Sequence, residues 1–440
     1  MVAGGGGRRS TTKPTTTKRK TTKLGRRHHN HEHLTQLLPL LSSASSATQF
    51  FLSQNDVFLL PSQTLTLESL LSSTSLSLST LLSLLSTTKP LKPLSLSSSP
   101  PSLACWFHRF LSAASDDYDP RWFDTFRMSR PSFTLLLRLL APSLQTSLPS
   151  LPPSYTLAAA LYRLSHAASY KSVARRFGLD TAGASRAFYT VCKVVNEKLG
   201  HLFEFRTDIG RIVVGFGWIS LPNCCGVLGF ERFWVDGELL GKNGALMVQA
   251  LVDSEGRFLD VSAGWPSTAE PITILRQTKL FSGVDESREL LNGPSYELSD
   301  GNSIPQYILG DSCFPLLPWL LTPFIRSNEE DSFSSSERAF NSAHSRGMGL
   351  VGTAFGRVRA RWLLLSRRWK EECIEFLPFV IVTGCLLHNF LIKCSEPLPE
   401  ENVGYSKEPE LPVFEGEANE SGLRIRDALA FHLSRVSLRR

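Results

Sequence analysis

The chain has 440 residues, 42% apolar residues and a formal net charge of +7, with 47 basic and 40 acidic residues. This length and apolar content suit a globular protein with two or three domains and full cores. No run of 18 uncharged apolar residues is present, so the sequence predicts no membrane span.

The positive charge lies in the N-terminal tail. Residues 1–30 hold nine Lys or Arg and no acidic residue, whereas the remainder holds 38 basic and 40 acidic residues. The body as a whole is therefore not a strong polyanion binder. We predict that 1–33 is a disordered basic tail carrying a nuclear localisation signal or a non-specific DNA-binding arm. The basic runs are Lys18, Arg19 and Lys20, then Arg26 and Arg27. A solubilising tail and an acid-poor, Ser-rich organelle transit peptide are the alternatives.

Residues 34–117 form a Ser/Leu-rich arm of low complexity. Its Leu65–Leu85 segment fits a helix of little charge, weakly ordered or dependent on a partner. The eight cysteines of the chain form no C-x-x-C pair and lie mostly in apolar runs. They are typical of reduced core thiols, not of a zinc site.

Residues 118–205 are predicted to form a helical domain. Arg121–Leu140 is amphipathic, and the segment from Pro142 to Pro153 is rich in helix breakers. The following stretch has the pattern of a helix-turn-helix, because Gly178 stands at the turn and Asp180 or Thr181 can cap the second helix.

Four basic residues of this helix-turn-helix are candidates for DNA contact. They are Lys171, Arg175, Arg176 and Arg186. Gly183 and Ala184 stand where base-reading side chains are expected. The helices therefore have a second interpretation, in which they only pack against the core or a partner.

Residues 206–395 read as an α/β domain. Three apolar runs are separated by turn residues, and a fourth run ends in a carboxylate. The runs are Cys224–Phe230, Gly244–Asp253, Arg257–Trp265 and Tyr307–Asp311. A crossover helix is predicted over Ile272–Phe281, and a polar, then basic helical stretch over Asn341–Lys370. This is the element order of an RNase H-like nuclease core, a mixed sheet flanked by helices. The basic side chains of the late stretch would form one stripe, either near a DNA backbone or simply solvated.

Five long blocks in order make the sequence resemble the transposases of PIF/Harbinger-type DNA transposons and the proteins derived from them. The blocks are Cys225–Gly229, Val248–Trp265, Leu309–Phe324, Asn341–Trp362 and Gly384–Phe390. The resemblance covers roughly residues 118–395 and implies a DDE nuclease fold, in which three carboxylates hold two divalent metals.

The positions that match the family's carboxylates are mostly not acidic here. Gly229 stands for the first Asp and Gly352 for the helix Glu, while Asp311 keeps the second Asp. A further family acid falls on Pro271. One carboxylate cannot hold two metals, so we expect a catalytically inactive nuclease homologue without a cofactor.

A relocated site is the competing interpretation. Glu231 lies two residues after Gly229 and faces the same side of a strand, and Glu270 precedes Pro271. A rebuilt Glu231/Asp311/Glu270 triad would be a metal-dependent endonuclease. Asp311 also has a structural interpretation, in which its side chain caps a turn at the end of the strand and binds no metal.

The resemblance implies a domesticated transposase that acts as a nuclear scaffold in a chromatin-regulating complex. Family proteins work with a separate Myb/trihelix-like DNA-binding partner. Domesticated plant relatives join either a histone acetyltransferase complex that opposes DNA methylation or a Polycomb complex. A direct DNA-binding protein is a further alternative. Residues 396–440 are predicted to be an acidic linker and an amphipathic helix, Leu423–Val436, which docks on the core or a partner.

Overall fold

The structure, a computed structural model, describes residues 42–46, 48, 60–85, 105–203, 205, 209–240, 244–287, 289–326, 332–400 and 411–437. Residues 1–97 and 98–440 are two compact units. In the part of the chain so described, no helix is long and apolar enough to cross a membrane.

The first unit contains one long helix, α1 (Pro61–Leu85). The hydroxyls of Thr66 and Thr74 donate to backbone carbonyls four residues earlier, at 2.9 and 2.8 Å. Their hydrogen-bonding groups are thereby paired within the helix itself. Leu70 and Leu76 are 60% and 70% exposed. The helix predicted in this arm is confirmed, and its dependence on a partner stays a prediction.

The second unit begins with six helices. They are α2 (Trp106–Ala113), α3 (Pro120–Phe126), α4 (Arg130–Ser147), α5 (Pro153–His166), α6 (Tyr170–Phe177) and α7 (Thr181–Leu199). Helical structure therefore starts before residue 118, inside the segment predicted to be a low-complexity arm. This early helix is stabilised by buried aromatic side chains. The Phe107 ring packs edge-on against Tyr155 with ring centroids 4.9 Å apart, and the Phe110 ring packs edge-on against Trp122 with centroids 5.2 Å apart.

Pro142 does not end a helix as predicted. It lies inside α4, which continues to Ser147. Leu144, two residues after Pro142, is fully buried. Burial of this last turn outweighs the hydrogen bond that the proline cannot donate.

A mixed sheet follows the helices. Its strands are β1 (Cys224–Asp236), β2 (Ala245–Val252), β3 (Phe258–Pro266), β6 (Tyr307–Gly310), β7 (Leu320–Leu321) and β8 (Trp369–Lys370). β4 (Tyr296–Glu297) and β5 (Ser303–Ile304) form a separate two-stranded sheet. The order is β3-β2-β1-β6-β7, antiparallel from β3 to β1 and parallel from β1 to β7, and β8 pairs with the end of β1. All residues of β2 are buried, as expected for a strand covered on both faces.

The predicted crossover helix is broken in two. α9 (Pro271–Arg276) ends before Thr278, whose extended backbone starts α10 (Lys279–Phe281). The Thr278 hydroxyl accepts the N–H of Phe281 at 3.3 Å, so this residue caps a new helix and interrupts the first one.

Four helices flank the sheet. They are α8 (Ile209–Trp218), α11 (Ser335–Arg361), α12 (Leu377–Lys393) and α13 (Glu420–Ser437). α8 contacts β1, α11 contacts β1, β2 and β6, and α12 packs between β3 and α7. This mixed sheet flanked by helices is consistent with the DDE nuclease fold that the resemblance implies.

The C-terminal helix α13 docks on the core, one of the two outcomes expected for it. It packs against α11, with Leu429 and Leu433 buried. The Arg426 guanidinium donates to the carbonyls of Thr322 and Pro323 at 3.3 and 3.2 Å, which ties the helix to the end of β7.

Candidate functional site

The two residues that the resemblance matches to the first and second family acids lie side by side. Leu228 of β1 pairs with Gly310 of β6 in parallel register, so Gly229 and Asp311 are the next residues on neighbouring strands. The imidazole of His344, on α11, donates to the Gly310 carbonyl at 2.8 Å. The sheet and the late helix therefore meet where the resemblance places the metal site.

Asp311 has a local role at the end of β6. Its Oδ1 accepts the backbone N–H of Ser312 at 2.7 Å, and its carbonyl accepts the N–H of Phe314 at 3.1 Å. Such contacts are those of a carboxylate that stabilises a tight turn. The side chain is half-buried.

Apolar groups fill the space beside Gly229. A Cβ placed on Gly229 would lie 3.3 Å from both methyl groups of Val351, the residue before Gly352 on α11. Phe230 stacks on Phe314 with ring centroids 5.1 Å apart. Gly352 is exposed and a Cβ there would meet no atom within 4 Å.

Glu231 faces the late helix, as its two-residue offset from Gly229 predicts, but it meets a cation there. Its carboxylate forms an ion pair with the Arg359 guanidinium, and the two side chains are 13% and 7% exposed. A carboxylate already paired with a buried arginine is a poor ligand for a metal ion. The sequence analysis did not identify Arg359 as the partner of Glu231. Its spacing of four residues from the apolar Phe355 places both on the same face of α11 and could have indicated that Arg359 faces the sheet.

The other acids of the relocated triad do not converge with Glu231 into a ligand set. Pro271 is buried at the first position of α9, and Glu270 is exposed before it without a side-chain capping bond. Among all described residues, no group of three or more His, Cys, Asp or Glu is placed to hold a metal ion. The side chains present do not fit a two-metal centre.

Two helices joined by a short turn occupy the segment predicted to be a helix-turn-helix, and its assignment as a DNA-binding motif stays a prediction. Gly178 ends α6 in the left-handed region at φ 65°, and the Asp180 side chain accepts the N–H of Gly183 at 2.5 Å to start α7. Lys171, Arg175 and Arg186 are exposed.

Arg176 corrects the predicted DNA-binding set. Its side chain is only 3% exposed, with the guanidinium 4.9 Å from the Trp106 ring centroid and 5.1 Å from that of Tyr162. Aromatic residues of α2 and α5 cover it, so it stabilises the helical core. Its position on the inner face of the short helix α6 follows from the burial of Val173 and Phe177.

The basic stripe predicted on the late helix is not formed. α11 ends at Arg361, and both Arg359 and Arg361 are buried. Arg361 donates to the carbonyls of Arg127 and Pro397 at 2.9 and 2.5 Å, and burial lowers its pKa to about 10. These guanidiniums hold chain segments together and are not arranged along one solvent face.

The block Gly384–Phe390 supplies core hydrogen bonds. His388 Nε2 donates to the Gly256 carbonyl at 3.1 Å, and burial lowers the pKa of His388 to about 3. Asn389 accepts the N–H of Phe258 at 3.0 Å and donates to the carbonyls of Phe258 and Leu202 at 2.7 and 3.0 Å. The pair ties α12 to the edge strand β3.

All eight cysteines are free thiols, six of them buried. This agrees with reduced core cysteines. The predicted localisation signal falls on Lys18, Arg19, Lys20, Arg26 and Arg27, which lie outside the described residues.

A family model described as DDE superfamily endonuclease matches residues 241–389. An Arabidopsis thaliana relative, Protein ALP1-like, is 31% identical over 298 residues, which are 62% of this chain and 71% of that protein. The chain belongs to the Harbinger transposase-derived DDE family. The matched stretch contains β2, β3, α11 and most of α12; that Gly229 and Gly352 stand at metal-binding positions of the family stays a prediction.

Further relatives match over 321 and 232 residues. The Arabidopsis protein named Antagonist of like heterochromatin protein 1 is 29% identical over 321 residues, 67% of this chain and 79% of that protein. HARBI1 of Homo sapiens is 22% identical over 232 residues, 49% of this chain and 60% of that protein. No solved structure matches the chain.

Proposed function

We propose that this protein is a domesticated Harbinger transposase without a working nuclease site. In this proposal it is a nuclear scaffold subunit of a chromatin-regulating complex and works with a Myb/trihelix-like DNA-binding partner. The observation that carries the proposal is the ion pair of Glu231 with Arg359. It lies beside Gly229, one of the two glycines that the resemblance matches to family carboxylates.

The retained core supports a binding role. The helices and strands of the family fold are packed around a buried β2, and α13 adds a further layer on α11. A chain that keeps such a core while its ligands are missing uses the fold for something besides cleavage. Asp311 remains in that fold as a turn residue.

The chromatin context comes from relatives. One carries the name Antagonist of like heterochromatin protein 1, which refers to heterochromatin. The basic runs that begin at Lys18 and Arg26 support nuclear import. An anti-silencing histone acetyltransferase complex and a Polycomb-associated complex are both candidates for the assembly.

The test is purification of the tagged full-length protein from nuclei, read by mass spectrometry, together with a cleavage assay in Mg²⁺ and Mn²⁺. We expect recovery of a Myb/trihelix-like protein with histone-modifying subunits and no metal-dependent cleavage. Cleavage that Glu231→Ala or Asp311→Ala abolishes would overturn the proposal in favour of the relocated nuclease. Recovery of the protein alone would overturn the scaffold role.

Direct DNA binding is the second candidate. The observation that favours it is the exposure of Lys171, Arg175 and Arg186 on a helix-turn-helix whose second helix begins at an exposed capped end. The triple Ala variant is expected to lose affinity for duplex DNA and to show a shallower salt dependence. Arg138→Ala, which removes an exposed charge from α4, is the control. Unchanged affinity in the triple variant excludes this surface.

A further inference from the structure

An apolar cleft lies where α8, α11 and α13 meet, and none of the catalytic-position residues lines it. Its walls are the C-terminal end of α8, the side chains Ala339, Ala343 and Leu350 of α11, and Leu433 and Val436 of α13. The cavity volume is about 460 Å³, which has room for several apolar side chains. The cleft is therefore the size of a groove that receives one face of a helix.

Two large apolar side chains are exposed at or near this cleft. Trp218, at the mouth, is 83% exposed, and Val214, one turn earlier on α8, is 61% exposed. Positions four apart share one face of a helix. Contiguous apolar surface with a polar rim marks interaction sites, and tryptophan dominates binding energy at such sites more often than most residues.

Arg346 is the one charged residue that lines the cleft among the described residues. Its side chain is exposed, and Nη1 donates to the Ser342 hydroxyl at 2.9 Å. Within the described part of the chain, no carboxylate forms an ion pair with it. The guanidinium keeps donors available for a carboxylate at the edge of an apolar groove, a charge arrangement complementary to an acidic ligand.

We infer that this cleft docks an acidic amphipathic helix of a partner protein. The apolar face of that helix packs on Trp218 and Leu350, and a carboxylate beside that face pairs with Arg346. The inference rests on the scaffold role proposed above and adds to it the surface and the chemistry of the partner.

The experiment measures binding of two designed helical peptides to the full-length protein by fluorescence anisotropy. Both peptides carry Leu at helical i, i+4 and i+7 spacing, and their polar faces carry either Glu or Lys. We expect the Glu peptide to bind and Trp218→Ala to weaken it by about tenfold or more, as loss of a central interface anchor does. Arg346→Glu is expected to reverse the preference in favour of the Lys peptide.

Leu239→Ala is the matched control, because Leu239 is 65% exposed but does not line the cleft. Binding of neither peptide, or equal binding by wild type and both cleft variants, overturns the inference. A concentration-dependent dimer lost in Trp218→Ala would assign the cleft to a second copy of the chain. Competition by short duplex DNA would assign it to nucleic acid.

The two proposals fail in different ways. If the wild type recovers chromatin subunits from nuclei and Trp218→Ala recovers them equally, the cleft inference fails and the scaffold role stands. If the wild type recovers none, the scaffold role fails, and the peptide titration alone decides whether the cleft binds acidic helices.

Discussion

Glu231 of β1 and Arg359 of α11 form an ion pair that water hardly reaches, with side chains 13% and 7% exposed. The guanidinium also donates to the Arg232 carbonyl at 2.6 Å and lies 4.8 Å from the Phe233 ring centroid. Alternate residues of a strand share a face, so this arginine covers the strand face on which Gly229 lies.

The ion pair predicts that Glu231 is a structural residue. Glu231→Gln leaves a buried guanidinium without its counter-ion, and we expect the free energy of unfolding to fall by about 3 kcal/mol. Urea unfolding followed by circular dichroism measures the loss. Glu197→Gln is the control, because its pair with Lys193 is 3.9 Å long and exposed, and its change should stay within about 0.5 kcal/mol. A stable Glu231→Gln protein that has lost Mn²⁺ binding would contradict the structural role.

The two glycines at catalytic positions should respond oppositely to a restored acid. Gly352→Glu places a helix-forming residue at an exposed position with open space, and we expect a gain of about 0.5–1 kcal/mol. Gly229→Asp buries a carboxylate against Val351, and we expect a loss of about 3 kcal/mol. Thermal melting of the two variants compares them directly. If both variants were as stable as the wild type and the protein carrying both substitutions bound Mn²⁺, the surroundings of the metal site would be intact and only the ligands would be missing.

Asn389 should be among the most sensitive polar residues of the core. Its amide satisfies both backbone groups of Phe258 on the edge strand and the carbonyl of Leu202. Asn389→Ala leaves these buried groups unpaired, and we expect a loss of about 2–4 kcal/mol in chemical unfolding. Asn196→Ala, at a half-buried position on α7, should cost less. A smaller loss for Asn389 than for Asn196 would argue against this tie between α12 and β3.

Buried histidines predict a stability that falls on mild acidification. Burial lowers the pKa of His166 to about 4 and that of His388 to about 3, against about 6.5 in an unfolded chain. The unfolded chain therefore binds more protons below pH 6.5, so stability is full above that pH and falls as the pH drops toward the folded pKa values. By pH 5 each histidine should cost about 2 kcal/mol.

Urea unfolding at pH 7.5, 6 and 5 measures this slope. His166→Gln and His388→Gln should each flatten it, whereas His201→Gln changes an exposed ring and should leave it as in the wild type. A wild-type stability that does not change between pH 7.5 and 5 would show that the two buried rings gain protons without unfolding.

The order of the strands could be predicted from the amino-acid sequence alone. Turn residues separate the apolar runs that became β1, β2, β3 and β6, and periodicity of this kind depends only on neighbours along the chain. The blocks that resemble Harbinger transposases led to the prediction that Gly229 and Gly352 stand at acid positions of the family. The turn between α6 and α7 could be predicted for the same reason, since Gly178 and Asp180 act locally.

The contacts of the charged side chains could not be predicted from the amino-acid sequence and became clear only from the packing of the fold. Arg176 is stacked beneath Trp106, 70 positions earlier, and Glu231 meets Arg359, 128 positions later. Spacing tells which face of its own element a side chain occupies, but the partner element that covers that face is set by the packing of the whole core. The cleft lined by Trp218 and Arg346 is of the same kind, because it exists only where three helices distant in sequence come together.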